Sequence, residues 1–445
     1  MKIKDLPRAF NVLLLLVSLA LNLSIDLSPS GWEGLNDPAD YLHQSEISLF
    51  SKEFYAPHKT IEFNPRPFTV PLFYKFCGSN PDIIIPFQKC IHSLSVFLLV
   101  SALLLFIRNN IVKYLLILAI YLLMSWWNIL GWSMILLSES ISTSLLFCWI
   151  ATFLFWFKKR NNIWLIAHLV VLALFSFSRD SWPYIIVSFD LLVGLVFYFF
   201  EKRLFKGAVT FFVFSLVLFL IQQASAKTGR RSELPVINSI VVRIMPNKEH
   251  RQWFIDKGMP CASQLQKNFA GMDIREVASQ EKMFRLYRDS SYQEFFHWVI
   301  EKGQATYILF MMTHPAYVIL MEETQEQKDR IWAHNLFYTD EPRGYSQWVQ
   351  SVFPLFNLSA VLLMCAILAA IWRLRKNQIY AIVLCLTLIV LLNAWLCYNV
   401  DALEVERHLF TTGIMLQVIG FFSIALIVDS LDLLSLFPTV RKHAK

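Results

Sequence analysis

Charge is what this chain has least of. Asp, Glu, Lys and Arg supply 16% of its 445 residues, against about a quarter in soluble globular domains. With 56% of the residues apolar and 15% aromatic, there is more apolar surface than a fold in water can hide, so a soluble protein is excluded and the chain belongs in a bilayer. Internal repeats and low-complexity tracts are missing too, which removes the sequence sign of the inverted halves common in transporters. No CxxC and no Cys/His group has metal-site spacing, so the cysteines give no metal signal. Cys148, Cys365, Cys385 and Cys397 fall within or at the end of apolar runs and suit packing. Cys77, Cys90 and Cys261 lie between such runs, and Cys77 and Cys90 either pair in an oxidising compartment or stay as thiols.

What is present is a series of long apolar runs. A span needs about 20 such residues, and ten candidates cover 9–25, 86–107, 113–129, 137–157, 162–178, 183–200, 206–224, 350–372, 378–397 and 409–428. The first begins like a signal peptide, with Lys2, Lys4 and Arg8 ahead of an apolar core. No small-x-small site follows it, so it is expected to stay as the first helix. Basic residues gather in alternate connections: Arg108/Lys113, Lys158/Lys159/Arg160, Lys202/Arg203/Lys206, Arg373/Arg375/Lys376 and Arg441/Lys442/Lys445. Cytoplasmic loops retain positive charge, which puts these clusters and both termini in the cytoplasm. The expectation is an all-α polytopic membrane protein with about ten transmembrane helices and two large extracytoplasmic loops. It divides into a transmembrane module 1–224 with its outer loop 26–85, an extracytoplasmic segment 225–349, and a transmembrane module 350–445. Within 225–349, Trp298 to Met321 reads as an interfacial or re-entrant stretch, because an eleventh crossing would invert the charge pattern downstream. The net charge of +7 is accounted for by the basic connections and gives no sign of a nucleic-acid partner.

The remaining charges mostly collect at the opposite helix ends. In Asn36-Asp37-Pro38-Ala39-Asp40-Tyr41, Pro38 suits a first helical turn and Asp37 its N-cap, in a short helix from Pro38 to about Phe50. The same carboxylate is placed to act as a general base on an incoming hydroxyl, and the two roles are compatible. In Asn64-Pro65-Arg66-Pro67 the prolines set an extended path around one cation, which suits either a phosphate or lipid headgroups. Glu139 begins the fourth span and must face a polar cavity or the interface. Arg179 closes the fifth, with a local pair to Asp180 as the competing explanation. The tight connection Asp401 to His408 carries Glu404, Arg407 and His408, which share a side if a helix begins there. His314 before Pro315 reads as a packing residue rather than a catalytic one, and Asp190 is an acid near mid-membrane that requires a polar partner.

These residues in this order resemble the polytopic type C glycosyltransferases, which include the protein O-mannosyltransferases and the bacterial lipid A aminoarabinose transferase. In those enzymes a functional acid a few residues before a tyrosine follows the first span, as Asp37 and Asp40 precede Tyr41 here. Arg66-Pro67 to Pro71 matches their Arg-Pro element, Glu139 and Arg179 their middle-helix acid and arginine, and Glu404 to His408 a late Glu-x-x-Arg-His. Many relatives carry Asp-Glu at the first acid where this chain has Asp37-Pro38, which leaves Asp37 and Asp40 as alternative bases. No Asp-x-Asp pair lies in the first outer loop, so a site without metal or other cofactor is expected. The resemblance implies a polyprenyl-phosphate sugar as donor, a glycan, lipid or protein hydroxyl as acceptor, and a site outside the cytoplasm, as in a bacterial inner (plasma) membrane. Asp37 or Asp40 would be catalytic, and Arg66, Glu139, Arg179, Glu404, Arg407 and His408 would bind substrate. A polysaccharide polymerase or ligase and a polytopic transporter are the rival readings, and neither needs the acid after the first span.

Overall fold

The computed structural model describes residues 5–25, 36–57, 59, 63–269, 289–320, 378–400 and 405–431, and all regular structure among them is helical. Seven helices are long and apolar enough to cross a membrane, as befits a multi-pass membrane protein. The first, α1 (Leu6–Ser24), is followed by three short helices, α2 (Asn36–Glu46), α3 (Lys52–Tyr55) and α4 (Thr69–Phe76). Then come α5 (Pro81–Leu103), α6 (Asn110–Met124), the single turn α7 (Trp127–Leu130), α8 (Ser138–Lys159), α9 (Asn162–Ser176), α10 (Trp182–Phe200) and α11 (Lys202–Thr228). A group of shorter helices comprises α12 (Glu233–Ser239), α13 (Lys248–Asp256), α14 (Ala262–Phe269), α15 (Gln293–Trp298), α16 (Gln304–Thr313) and α17 (Pro315–Leu320). Two long helices, α18 (Gln378–Val400) and α19 (Val405–Leu431), follow.

Local sequence explains the starts. Asn80, Asn109 and Asn161 each cap a helix by accepting from the N–H groups of Asp82, Ile111 and Trp164, and Pro81 and Pro183 sit in first turns where no N–H is needed. Two expected spans are short: α6 and α9 have 15 residues each, about 22 Å of helix, because the chain leaves α6 through Ser125 and Trp126 before reaching 129. The span expected at 350–372 lies outside the described residues. The Trp298 to Met321 stretch is broken, with a π turn at Val299–Gly303 and a further break at His314.

Burial ranks the helices. In α8, 94% of the apolar window is buried, against 17% in α1, so α8 is wrapped by protein while α1 presents its side chains to lipid. Aromatic rings fill the space around α8: Trp149 meets Phe189 of α10 at 4.8 Å and Trp156 meets Phe211 of α11 at 4.6 Å between centroids. Gly207 of α11 admits the Trp156 ring, since a Cβ there would lie 2.3 Å from it. Lipid offers no hydrophobic gain for bringing α1 onto α5, and polar bonds do it instead. Asn11 donates to Ser101 (2.9 Å), Asn22 to Ser93 (2.9 Å), and Lys89 of α5 to the carbonyl of Ile25 (2.9 Å). Asp190 of α10 is buried near Ser215 of α11, but neither of its carboxylate oxygens has a hydrogen-bond partner among the described residues, because the Ser215 hydroxyl donates to the Phe212 carbonyl (3.0 Å).

Successive helices run antiparallel, so the bundle has two distinct ends. At the basic end Asp429 of α19 accepts the N–H groups of Arg108 (3.0 Å) and Asn109 (2.7 Å), and Glu201 pairs with Arg160 (3.7 Å) and accepts from Gln378 (3.0 Å). The other end carries α2 to α4 and the connections 125–137, 177–181 and 229–232. Helices α12 to α17 bury a core of their own, including Ile237, Ile240, Phe254, Phe295 and Phe310. They dock on the end of α18, where the Tyr307 hydroxyl donates to the Asn399 carbonyl (2.9 Å) and Arg243 donates to that of Tyr398 while stacking 4.4 Å over its ring. Both carbonyls belong to the last turn of α18, where side-chain donors commonly supplement the helix's own bonds.

Candidate functional site

Arg66 is the hub of the end opposite the basic one. Asp37, Asp40, Tyr41 and Gln44 recur at three- and four-residue spacing and so share one face of α2. The extended segment 63–67 lies along that face. Gln44 fixes it, accepting from the Arg66 N–H (2.9 Å) and donating to the carbonyls of Arg66 (2.9 Å) and Phe54 (2.9 Å). Asp40 takes the N–H of Asn64 (3.2 Å). With the backbone held, one nitrogen of the Arg66 guanidinium donates to both Asp37 and Asp40, the latter at 2.8 Å. Its Nε has no hydrogen-bond partner among the described residues. The two acids differ in access: the Asp37 side chain is 34% exposed and that of Asp40 8%. Burial pushes the Asp40 carboxyl above its usual range, with Arg66 opposing the shift. Burial would lower the Arg66 guanidinium, but the charges of Asp37, Tyr41 and Asp40 outweigh it and hold the proton more firmly than usual.

The helix differs from its expected form. It begins at Asn36, so Asp37 lies in the first turn rather than capping it, and it ends at Glu46 rather than near Phe50. There Lys75 of α4 donates to the carbonyls of Ser45 (3.0 Å) and Ile47 (2.9 Å), supplying from another helix the cap that local sequence lacks.

Tyr41 joins this hub to α8. Its ring carries the Arg66 guanidinium at 5.2 Å, and its hydroxyl meets the Ser138 side chain, within the field of Glu139. Glu139 is fully buried in the first turn of α8, where the helix dipole favours an acid, and pairs with Arg179 at 3.4 Å. The turn carrying Arg179 is itself clamped. Its Phe177 carbonyl accepts from the Thr69 N–H (3.1 Å), Ser178 bonds Ser142 (3.0 Å), and the Trp182 indole donates to Ser142 (2.5 Å). The competing explanation for Arg179, a local pair with Asp180, gives way to longer-range pairs: Arg179 meets Glu139, and Asp180 binds Arg231 and Gln222.

Five of the expected site residues, Asp37, Asp40, Arg66, Glu139 and Arg179, therefore come together through Tyr41. Glu404 lies outside the described residues. Arg407 and His408 are described in backbone only, in the first turn of α19, whose Phe410 meets Trp132 at 5.3 Å, so that turn is at the same end of the bundle. His314 stacks on Phe310 at 4.3 Å, as expected of a packing residue. Cys77 and Cys90 are free thiols.

Sequence reading missed Gln44, Lys59 and Arg231. For Gln44 the signal was there, in its spacing from Asp37 and Asp40. Lys59 gave none, yet it is mostly enclosed, 3.8 Å from Glu233. Burial lowers its ammonium to about 8, with Glu233 opposing and Arg230 and Arg66 adding to the shift.

Beneath the charges lies an apolar cleft between α8, α10, α18 and α19, lined by Trp149, Trp182, Leu386, Val390 and Met415, with Asn393 and Thr412 as polar members. On α8 its lining residues Leu146 and Trp149 lie about two to three helical turns from Glu139, and on α10 Trp182 lies closest to Arg179. Among the described residues no three His, Cys, Asp or Glu form a group that holds a metal. No protein-family model and no curated protein matches this sequence. The chemistry open to the arrangement is proton removal by a half-buried carboxylate beside arginines suited to an anion.

Proposed function

We propose that the chain is a membrane glycosyltransferase of the type C kind, moving a sugar from a polyprenyl-phosphate donor to an acceptor hydroxyl with inversion. The observation that carries this reading is the bridge from Arg66 to Asp37 and Asp40, joined through Tyr41 to the Glu139–Arg179 pair. A lipid-linked phosphate needs cations for its head next to a base for the acceptor, and Arg66 and Arg179 beside Asp37 support that part of the reading. On the ten-span topology the basic end is cytoplasmic by its retained Lys and Arg. The site then faces outward, as in a bacterial inner membrane, with donor entering from the bilayer and acceptor from the water.

In the reaction, the donor phosphate draws the Arg66 guanidinium, whose buried Nε has no hydrogen-bond partner among the described residues, and so loosens its hold on Asp37. Asp37, more exposed than Asp40, takes the acceptor's hydroxyl proton. The acceptor oxygen attacks the anomeric carbon, and the bond from that carbon to the phosphate oxygen breaks with its electron pair going to the phosphate. Arg66, Arg179 and Arg407 stabilise the negative charge gathered there. Glu139 orients Arg179, Asp40 anchors the segment that carries Arg66, and Glu404 and His408 complete the sugar contacts.

The test is transfer of radiolabelled sugar from a panel of polyprenyl-phosphate sugars in membranes holding equal amounts of intact chain, Asp37→Asn or Asp40→Asn. Transfer by the intact chain that is lost in Asp37→Asn supports the reading. Equal transfer by intact chain and Asp37→Asn removes Asp37 as base. Absence of transfer from every donor removes the transferase.

A further inference from the structure

We propose that Arg231, outside the residues that meet substrate in the reading above, is a positioning residue that fixes, through Asp180, the turn presenting Arg179 to Glu139. Arg231 follows the end of α11 at Thr228. The Arg231 N–H bonds the Ala226 carbonyl (3.0 Å) and the Arg230 N–H bonds that of Lys227 (3.1 Å), the paired bonds of a Schellman ending. The position that favours glycine in that motif is taken by Arg230, at φ 53°, although Gly229 is next door. A non-glycine residue there is strained, and the strain is opposed by a fork from Arg230 onto Glu233. The ending reverses the chain and directs Arg231 back toward the bundle.

There the guanidinium is almost wholly buried. Its side chain is 3% exposed while that of Asp180 is 44% exposed. A buried guanidinium must have its donors satisfied. Arg231 meets this with Asp180, through Nε at 3.1 Å to both oxygens and Nη2 at 3.0 Å, and with Ser225, through Nη1 at 3.3 Å to its carbonyl and 3.2 Å to its hydroxyl. Gln222 adds a donor to Asp180 at 2.7 Å. Asp180 is thus held from the α11 side by two residues, and Arg179, its chain neighbour, faces Glu139 on the other. Ser142 and Thr69 clamp the same turn at Ser178 and Phe177. Of the clamps, Arg231 lies closest in sequence to the 233–320 helices, so it links that unit to the turn. The ion pair is fully within the described residues and needs no ligand. Only its effect on transfer rests on the proposed function.

The test is a double-mutant cycle on the full chain in detergent, reading the apparent melting temperature of the intact protein, Arg231→Lys, Glu139→Gln and the double variant. Lysine keeps the charge but not the fork. Arg231→Lys is expected to lower the melting temperature by about 5 °C, and by no more than about half that in the Glu139→Gln background, because part of the loss is the Arg179–Glu139 pair. Should Arg231→Lys fail to fold, Asp180→Asn completes the same cycle. Additive shifts would overturn the proposal, since a merely structural Arg231 costs the same whether or not Glu139 is charged. Where the intact chain shows transfer, Arg231→Lys lowers it about tenfold. Failure to see transfer in the intact chain counts against the transferase alone and leaves the cycle to decide on Arg231.

Discussion

Replacing Arg66 with glutamine removes the cation shared by two carboxylates and leaves the segment around it otherwise able to form. Charges about 4 Å apart attract by about 4 kcal/mol at an effective dielectric of about 20, and removing one partner of a buried pair costs about 3–5 kcal/mol because the other charge is stranded. The cost is unequal between the acids. Asp37 is 34% exposed and rehydrates, while Asp40, 8% exposed, cannot. Most of the loss therefore belongs to Asp40, and adding Asp40→Asn to Arg66→Gln removes the stranded charge and recovers more than half of it. The assay is thermal unfolding in detergent followed by intrinsic tryptophan fluorescence. Arg66→Gln is expected to lower the apparent melting temperature by about 3–5 °C, and the double variant to lie between it and the intact chain. A single variant within about 2 °C of the intact protein, or a double variant no better than the single, would refute the assignment of Asp40 as the buried member of the pair.

Three further outcomes follow from the same geometry. Lys59 titrates near 8 in the folded chain against 10.5 ordinarily, so between those values the unfolded chain holds a proton the folded chain has released. Stability accordingly rises with pH across that window, by about 3 kcal/mol in full, and melting curves from pH 7 to 10 should show the rise in the intact chain and lose it in Lys59→Met. Asp190 is buried and makes no ion pair among the described residues, so Asp190→Asn, which keeps the shape without the charge, is expected to leave the melting temperature unchanged or raise it. A fall of about 5 °C or more would mean the carboxylate is paired. Tyr307→Phe deletes the hydroxyl that caps the Asn399 carbonyl and should cost about 1–2 kcal/mol, seen as faster proteolysis between 233 and 320; unchanged proteolysis would mean the contact does not hold that unit to α18.

Much was legible before any coordinates. A chain so poor in charge has to bury its backbone bonds in helices, and apolar run lengths located the spans that are described. Run length misjudged 113–129, because a run of apolar residues does not show where a helix stops, and α6 ends in a turn in which the N–H groups of Ser125 and Trp126 bond back to the Tyr121, Leu122 and Leu123 carbonyls. The candidate residues were likewise found by their place at helix ends. What spacing along the chain does not reveal is which of them touch. The carboxylates on Arg66 lie 26 and 29 residues from it, and Asp180 lies 51 from Arg231.

The sequence by itself determined the class of the protein, the end of the bundle where its charges gather, and the short helix that carries Asp40 and Tyr41, since hydropathy and turn chemistry are local properties. Only the tertiary structure decided the partners. Arg179 turned from its neighbour Asp180 to Glu139, Asp180 was left to Arg231, and Asp37 and Asp40 converged on one guanidinium. The physical reason is that a buried charge takes whichever opposite charge packing brings within about 4 Å, and in an antiparallel bundle that distance is set by helix ends meeting in space.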